Sequence, residues 1–189
     1  MENKTTKKII LAFVGMPGAG KTEASAYLKK KGIPILRFGD LTDEGVREMG
    51  LPLKQENEKL FREKMRREFG MGAYAIKSKP KIDNLLKDYD IIILDGLYSW
   101  EEYTYLINQF YKLILINIFA EPTIRYERLS KRPIRPLLLT EGRNRDIAEL
   151  EKLNKGGPIA IADYSIENNS DDTGDLYKKL DNLIIRLGI

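Results

Sequence analysis

The chain has 189 residues, of which 42% are hydrophobic and 32% charged, and its net charge is +4. This length and composition predict a single globular domain, residues 1–189, that buries a core without disulfides. Cysteine and histidine are both absent, which excludes thiolate chemistry, histidine general bases and histidine-ligated metals. A charge of +4 is too small to indicate nucleic acid binding by itself.

Nothing in the sequence indicates a membrane partner. The start Met1–Lys4 lacks the basic-then-apolar layout of a signal peptide. No apolar run approaches the roughly 18 residues that span a bilayer. We therefore expect a soluble, cytoplasmic protein.

Short apolar runs alternate with stretches of helical periodicity. The runs predict buried strands at Ile9–Val14, Pro34–Phe38, Ile91–Leu94, Leu113–Phe119 and Tyr164–Asn168. Helices are predicted over Lys21–Lys31, Glu56–Phe69, Pro122–Lys131, Asp146–Leu153 and Gly174–Leu187. The alternation predicts an α/β fold with a parallel, five-stranded sheet and helices on both faces. The stretch Lys131–Arg145 contains two prolines and Gly142, which predicts a loop.

A complete phosphate-binding pattern follows the first strand, where residues 15–22 read Gly-Met-Pro-Gly-Ala-Gly-Lys-Thr. The glycines let the backbone turn its N–H groups toward phosphate oxygens, and the next helix adds its dipole. Lys21 then reaches the β- and γ-phosphates of ATP, and Thr22 places its hydroxyl on Mg²⁺. The alternative, a glycine-rich turn without a ligand, is disfavoured by the strand before it and the helix after it. The loop predicts a P-loop NTPase three-layer fold.

The run Ile91–Leu94 is followed by Asp95, in the position of a Walker-B acid. A carboxylate at that strand end lies beside the phosphate loop and can orient a water on Mg²⁺. The alternative is an ordinary aspartate in an Asp-Gly turn. Because the phosphate loop is complete, we favour Thr22 and Asp95 as the metal ligands.

Arginines are concentrated after the fourth strand. Guanidinium groups fork onto phosphate, and a mobile lid that carries them can neutralise a transferring phosphoryl group. We predict such a lid over residues 131–146, with Arg132 and Arg145 as its catalytic residues. The alternative is a solvated basic face. The six arginines are Arg125, Arg128, Arg132, Arg135, Arg143 and Arg145.

Together these motifs resemble the P-loop kinases that include nucleoside monophosphate kinases and dephospho-CoA kinases, and most of all the archaeal adenylate-kinase-related proteins. The last matching stretch, residues 162–170, resembles the strand and loop that lie against the adenine ring in this group. The alternative is a plain edge of the sheet. The matching residues are Gly15–Thr22, Gly39-Asp40, Arg66–Gly70, Asp95-Gly96, Ile124–Tyr126 with Arg128, Arg145-Asp146, and Ala162–Tyr164 through Ile166 to Asn168 and Ser170. The resemblance implies that nucleotide is bound by Gly15, Pro17, Gly18, Ala19, Gly20, Lys21, Thr22, Glu23, Arg128 and Asn168.

Two positions depart from the family pattern, because Tyr98 and Asp43 stand where it has arginines. Both belong to the acceptor half of the site, for which we also expect an acceptor-binding helical segment over about residues 39–88. Another arginine could supply the lost contacts with the acceptor phosphate. The candidates are Arg37, Arg47, Arg62 and Arg66.

The expected reaction is ATP- and Mg²⁺-dependent phosphorylation of a small nucleotide-like acceptor. A nucleoside monophosphate needs no general base, whereas the ribose hydroxyl of dephospho-CoA benefits from a carboxylate. Asp40, predicted at the end of the second strand, is either that catalytic carboxylate or a helix cap. A different class of function, a nucleotide-binding regulatory ATPase with little kinase activity, also fits the sequence.

Overall fold

The protein is described by a computed structural model that covers residues 8–132 and 136–189; Arg135 of the predicted lid lies outside these ranges. Within them the chain forms one parallel sheet in the order β2-β3-β1-β4-β5. The predicted fold, a parallel five-stranded sheet of P-loop type, is therefore confirmed. The strands are β1 Ile9–Val14, β2 Ile35–Arg37, β3 Ile91–Asp95, β4 Lys112–Phe119 and β5 Tyr164–Glu167.

Helices cover both faces of this sheet. None of the helices in the described ranges is long and apolar enough to cross a membrane. They are α1 Lys21–Lys30, α2 Phe38–Glu48, α3 Gln55–Phe69, α4 Ala73–Asp88, α5 Trp100–Gln109, α6 Pro122–Ser130, α7 Leu139–Leu153, α8 Gly156–Ala160 and α9 Thr173–Leu187.

Strand β1 divides the core into two layers, because successive side chains of a strand point to opposite faces. Ile10 and Val14 belong to the cluster that includes buried residues of α3, α4 and α5. Leu11 and Phe13 belong to the cluster that includes buried residues of α1 and α9. All six residues of β1 are buried, as the apolar run predicts for a central strand of a covered parallel sheet. The phosphate loop therefore leaves the sheet at its centre.

The second strand is shorter than predicted, because Phe38 begins helix α2 instead of ending β2. Strand β2 lies at the edge of the sheet and pairs only with β3, so little backbone bonding extends it. Phe38 is buried in the core as the first residue of the helix. Asp40 lies in the first turn of α2, whose N-cap is Arg37, so the prediction of Asp40 at a strand end or in a capping position was wrong.

The predicted loop over Lys131–Arg145 does not extend to Arg145, because α7 begins at Leu139 and not at Asp146. The Glu141 carboxylate accepts a hydrogen bond from the Leu138 N–H at 2.9 Å, which caps the helix start. Gly142 is buried, and an added Cβ there would meet the Tyr126 ring. Arg143 and Arg145 therefore stand on a helix that packs on α6, and the prediction of an irregular segment was wrong for residues 139–145.

Candidate active site

The phosphate loop joins β1 to α1 through backbone conformations that only glycine adopts readily. Gly15, Gly18 and Gly20 have φ of 135°, 80° and 103°. Helix α1 begins at Lys21, and its N-cap, Gly20, provides no side-chain hydrogen bond to the first turn. The N–H groups of that turn have no partners within the helix. They therefore face the space where the loop would hold an anion.

Two side chains from distant parts of the chain hold this loop in place. The Arg125 guanidinium donates to the Pro17 carbonyl at 3.0 Å, and the Asn168 amide donates to the Ala19 carbonyl at 2.8 Å. A Cβ at Gly18 would approach the Arg125 carbonyl to 2.6 Å. Pro17, Gly18 and Ala19 thus lie in a preformed cradle.

Arg125 is committed to the interior and is not part of an anion trap. Its guanidinium is buried and forms a bidentate pair with Asp146, with distances of 2.9 and 2.6 Å. Asp146 also accepts a hydrogen bond from the Tyr126 hydroxyl at 2.9 Å. The inclusion of Arg125 among the phosphate-binding arginines was therefore wrong. The pair joins α6, α7 and the phosphate loop instead.

Lys21 folds back over the loop that precedes it. Its ammonium group donates to the Gly15 and Met16 carbonyls at 2.8 and 3.0 Å. Burial and, to a smaller extent, the charge of Lys155 lower the pKa of Lys21 to about 7, while Glu149 and Asp95 oppose the change. The negative charge of a bound phosphate chain would favour the protonated form of Lys21.

Asp95 and Arg37 lie side by side at the carboxyl ends of neighbouring strands, as their register in the sheet requires. The Arg37 Nε is 3.7 Å from the Asp95 carboxylate, and its Nη1 is 3.3 Å from the Asp40 carboxylate. Burial raises the pKa of Asp95, although Lys21 and Arg37 act in the opposite direction. The Asp95 side chain is buried, whereas Asp40 is half exposed.

A magnesium ion fits the donor atoms present here. Thr22, exposed at the start of α1, offers a hydroxyl, and Asp95 offers a buried carboxylate whose ionised form a cation would favour. Magnesium is typically held by one or two carboxylates together with water and substrate phosphates. A cage of three or more acidic residues is absent from residues 8–132 and 136–189.

The two lid arginines predicted to be catalytic lie near a pair of buried charges. Arg145 Nε donates to Glu149 at 3.0 Å, and Lys155 donates to the other oxygen of the same carboxylate. Burial raises the pKa of Glu149, but Lys155 and Arg145 outweigh that effect and lower it. Burial and the charge of Arg145 lower the pKa of Arg132. Arg132 and Lys155 also contribute positive charge at Lys21.

Three other residues predicted to bind nucleotide have protein partners. Arg128 donates to the carbonyls of Asn168 and Ser170, both at 2.7 Å, and so fixes the loop after β5. Asn168 is buried and holds the phosphate loop. Glu23, one residue beyond Thr22, accepts a hydrogen bond from the Tyr177 hydroxyl of α9. The structure gives Arg128 and Asn168 a positioning role behind the cradle.

The acceptor half contains Tyr98, whose ring lies 4.5 Å from the Lys155 ammonium group. Arg66 lies over the Tyr74 ring at 5.9 Å, and among the described residues its buried Nε has no hydrogen-bond partner. The remaining candidates are less well placed: Arg62 pairs with Glu58 within α3, and Arg47 is exposed, on the same helix as Asp43.

A cavity of about 460 Å³ lies between β2, α2 and α4. Its lining includes Arg37, at the end of β2, and Asp40, in the first turn of α2. The organic part of an acceptor therefore has room beside these two groups.

Sequence reasoning missed Lys155 and Glu149. Lys155 is 2% exposed, although a lysine between Asn154 and Gly156 resembles an ordinary turn residue. Its contacts with Glu149 and Tyr98 join parts of the chain with no shared local pattern. The sequence signal for Glu149 was its spacing from Arg145. The two opposite charges are four residues apart on one helix, where such side chains can pair.

Comparisons with known proteins agree with this geometry. A family model described as an AAA domain matches residues 11–162. A UPF0200 protein of Pyrococcus abyssi is 37% identical over 186 residues, which cover 94% of this chain and 96% of that protein. This chain belongs to the UPF0200 family. A UPF0200 protein of Methanocaldococcus jannaschii is 34% identical over 189 residues, covering 93% of this chain and 89% of that relative.

Solved structures extend the likeness of this UPF0200 chain at the level of the fold. A shikimate kinase from Bacteroides thetaiotaomicron has a TM-score of 0.58 at 16% identity and covers 96% of this chain and 99% of its own. A shikimate kinase from Acinetobacter baumannii, in complex with shikimate, has a TM-score of 0.57 at 17% identity with 97% of both chains covered. The UPF0200 chain therefore has a P-loop kinase-like fold.

Proposed function

We propose that this chain is an ATP- and Mg²⁺-dependent kinase that phosphorylates a small nucleotide-like acceptor. The observation that carries the proposal is the preformed phosphate cradle, with Lys21 folded over it and further cations beside it. Phosphoryl transfer depends mostly on positioning and on neutralisation of charge, which these groups can supply. The P-loop kinase-like fold supports this reaction class.

The donor side would act through parts that are already in place. Backbone N–H groups of the loop and of the first turn of α1 bind the β- and γ-phosphates. Lys21 leaves the Gly15 and Met16 carbonyls and adds its charge to the same phosphates. Thr22 and Asp95 would hold magnesium, which neutralises charge on the phosphates when it is bound. Arg128 and Asn168 keep the adenine-side loop against the cradle.

On the acceptor side, Arg37 and Arg66 are the best-placed replacements for the arginines that the family pattern has at positions 98 and 43. Arg37 lies beside Asp95 at the end of β2, and the buried Nε of Arg66 is free among the described residues. Each guanidinium group could bind an acceptor phosphate. The neighbouring cavity would take the rest of the molecule.

A hydroxyl acceptor, as in dephospho-CoA, is the second candidate because Asp40 is half exposed at the mouth of that cavity. Its carboxylate, 3.3 Å from Arg37, could accept the proton of an attacking hydroxyl. A monophosphate acceptor has no such proton to lose. The effect of substituting Asp40 therefore distinguishes a hydroxyl acceptor from a monophosphate acceptor.

We further propose that residues 131–146 act as a lid over bound nucleotide, and residues 139–146 of this segment form the first turns of α7. Arg132 and Arg145 would be drawn toward the transferring group. Hydrogen exchange, measured with and without an ATP analogue, is expected to show slower exchange in this segment when nucleotide is bound. Equal exchange in the two states would contradict the lid.

The test of function is an acceptor screen with AMP, CMP, UMP, dTMP, dephospho-CoA and shikimate, followed by Asp40→Asn with the best acceptor. We expect turnover with a nucleotide-like acceptor. A loss of about 10²–10⁴-fold in kcat for Asp40→Asn indicates a hydroxyl acceptor, whereas a small loss indicates a monophosphate. ATP binding without turnover on any acceptor would favour a regulatory ATPase.

A further inference from the structure

Lys155 is a buried cation whose position is determined by the turn between α7 and α8. Helix α7 ends at Leu153, and its C-cap Asn154 has a φ of 50°. The Asn154 carbonyl accepts a hydrogen bond from the Trp100 N–H at 3.2 Å. The Asn154 amide also donates to Glu101 at 2.8 Å. These bonds attach the turn to the start of α5. Lys155 is thereby directed inward, where 2% of its surface remains exposed.

Glu149 is the carboxylate on which two cations meet. One oxygen accepts from Arg145 at 3.0 Å and the other from Lys155, and the Glu149 side chain is itself 12% exposed. A carboxylate held by two charge-assisted donors from different directions resembles a bound phosphate. Arg145 remains half exposed, so this arrangement can open toward solvent.

Lys155 also brings a cation against Tyr98. The pattern has an arginine at position 98, and here the Lys155 ammonium group lies 4.5 Å from the Tyr98 ring. An aromatic face attracts a cation and keeps it within the site without neutralising it. The charges of Lys155 and Arg132 both act on Lys21, so this cation belongs to the surroundings of the phosphate loop.

We propose that Glu149 is an internal placeholder for phosphate, which gathers Lys155 and Arg145 in the empty site and yields them to a phosphate group when one enters. The proposal rests on the phosphate-binding part of the proposed function. A phosphate group carries more negative charge than a carboxylate and has three acceptor oxygens, so both cations gain by the exchange. Lys155 then contacts the phosphate group, on the side where this chain lacks an arginine at Tyr98.

The experiment measures the Kd of inorganic tripolyphosphate by calorimetry, because this probe requires neither turnover nor a known acceptor. Glu149→Gln removes the competing charge and is expected to tighten binding by roughly 10-fold, the effect of one charge-assisted hydrogen bond. Lys155→Met is expected to weaken binding by a similar factor. Glu151→Gln, an exposed change of equal charge on the same helix, is the matched control and is expected to change Kd by far less.

The double variant Glu149→Gln with Lys155→Met identifies the cation that moves. Binding as weak as in Lys155→Met supports the proposal. Tightening that persists in the double variant assigns the effect to Arg145 and overturns the role of Lys155. An unchanged or weaker affinity in Glu149→Gln overturns the placeholder itself, as does a wild-type protein that does not bind tripolyphosphate.

Two further measurements keep these outcomes separate from folding and from catalysis. Thermal melting is recorded for each variant, and Glu149→Asp, which shortens the reach of the carboxylate, replaces Glu149→Gln if the latter fails to fold. A smaller tightening is expected for it, because the charge remains but no longer reaches both cations, and the absence of any tightening would overturn the proposal. If the acceptor screen shows no turnover while Glu149→Gln tightens tripolyphosphate binding, the kinase proposal fails and the placeholder stands.

Discussion

The proposed donor half and the proposed acceptor half of the site are built in different ways. The donor cradle is formed by backbone, with three glycines of positive φ, and is held by contacts to carbonyls from Arg125 and Asn168. The acceptor half is formed by side-chain charges that pair with one another, such as Arg37 with Asp40 and Lys155 with Glu149.

The backbone cradle is preorganised for phosphate, whereas the paired side chains must exchange their internal ion pairs for contacts with a ligand. A backbone cradle needs no rearrangement when phosphate arrives, so little of the binding free energy is spent on ordering. Ion pairs between side chains must open before the same cations can bind a ligand. Substitutions in the donor half are therefore expected to change the stability of the fold and the shape of the cradle. Substitutions in the acceptor half are expected to change the affinity for ligand.

Removal of Arg125 is expected to have the largest effect, because it breaks the donor half at its buried support. Arg125→Met leaves Asp146 without its bidentate partner and the Pro17 carbonyl without its donor. The free energy of unfolding, measured with denaturant, should fall by about 3–5 kcal/mol. Lys59→Met, which removes an exposed partner of Glu63 on α3, is the control and should change it little.

Removal of the Lys21 charge is expected to affect turnover and leave the fold intact. Lys21→Met should lower kcat by about 10²–10³-fold, since one aimed donor of transition-state charge is lost. Its melting temperature should stay near that of the wild type, because the Lys21 ammonium group contacts only two loop carbonyls. Lys29→Met, exposed near the end of α1, is the control. Full turnover in Lys21→Met would remove the donor site from consideration.

A methyl group at Gly18 tests whether the cradle is as rigid as its contacts indicate. Gly18→Ala combines a φ of 80° with a close approach to the Arg125 carbonyl, and should destabilise the fold by about 1–3 kcal/mol and abolish ATP binding. Gly32→Ala has a similar φ of 91° but no atom within 4 Å of the added Cβ. It should therefore show the backbone strain alone and keep its affinity for ATP. Equal losses of ATP binding in the two variants would mean that the contact with Arg125 is irrelevant.

The smallest effect concerns the protonation of Lys21. Its pKa is about 7 in the free site, because burial disfavours its charge and Lys155 and Arg132 repel it, while Glu149 and Asp95 attract it. Bound phosphates should return the pKa toward 10.5, its ordinary value, so ATP binding takes up a proton above pH 7. Affinity is then greatest below pH 7 and falls about tenfold for each pH unit above it.

Calorimetry in buffers of different ionisation enthalpy measures this proton uptake directly. At pH 8.5 the wild type should take up about one proton with ATP. Lys21→Arg, whose side chain stays charged throughout this range, should take up none and is the matched control. Binding without proton uptake in the wild type would show that Lys21 is already charged in the free site.

The parts of the molecule that sequence reasoning recovered are those with local patterns. The phosphate loop is defined by eight consecutive residues, and β1 is recognisable because a central strand of a covered sheet is apolar throughout. Local patterns misled where tertiary contacts decided the outcome. Gly142 indicated a loop, yet it lies within α7. A glycine is needed at this helical position because an added Cβ would collide with the Tyr126 ring.

The side-chain contacts around the site were less predictable for the same physical reason. The buried pair of Arg125 and Asp146 joins residues 21 positions apart, and Lys155 reaches Tyr98 from the turn between α7 and α8. Helices α2, α4, α5 and α8 were not delimited in advance, and the segment 39–88 was predicted only as helical. Charged residues on these helices look alike in sequence, and only their packing shows which of them are buried.

The hydrogen bond from Asn168 to Ala19 has a consequence for protein synthesis, because it joins residues 149 positions apart. A ribosome translates the phosphate loop long before the residue that braces it. A nascent chain therefore presents the motif to cellular ATP without the β5 loop that secures the cradle. Tight capture of nucleotide is expected to arise late, when the last strand has joined the sheet.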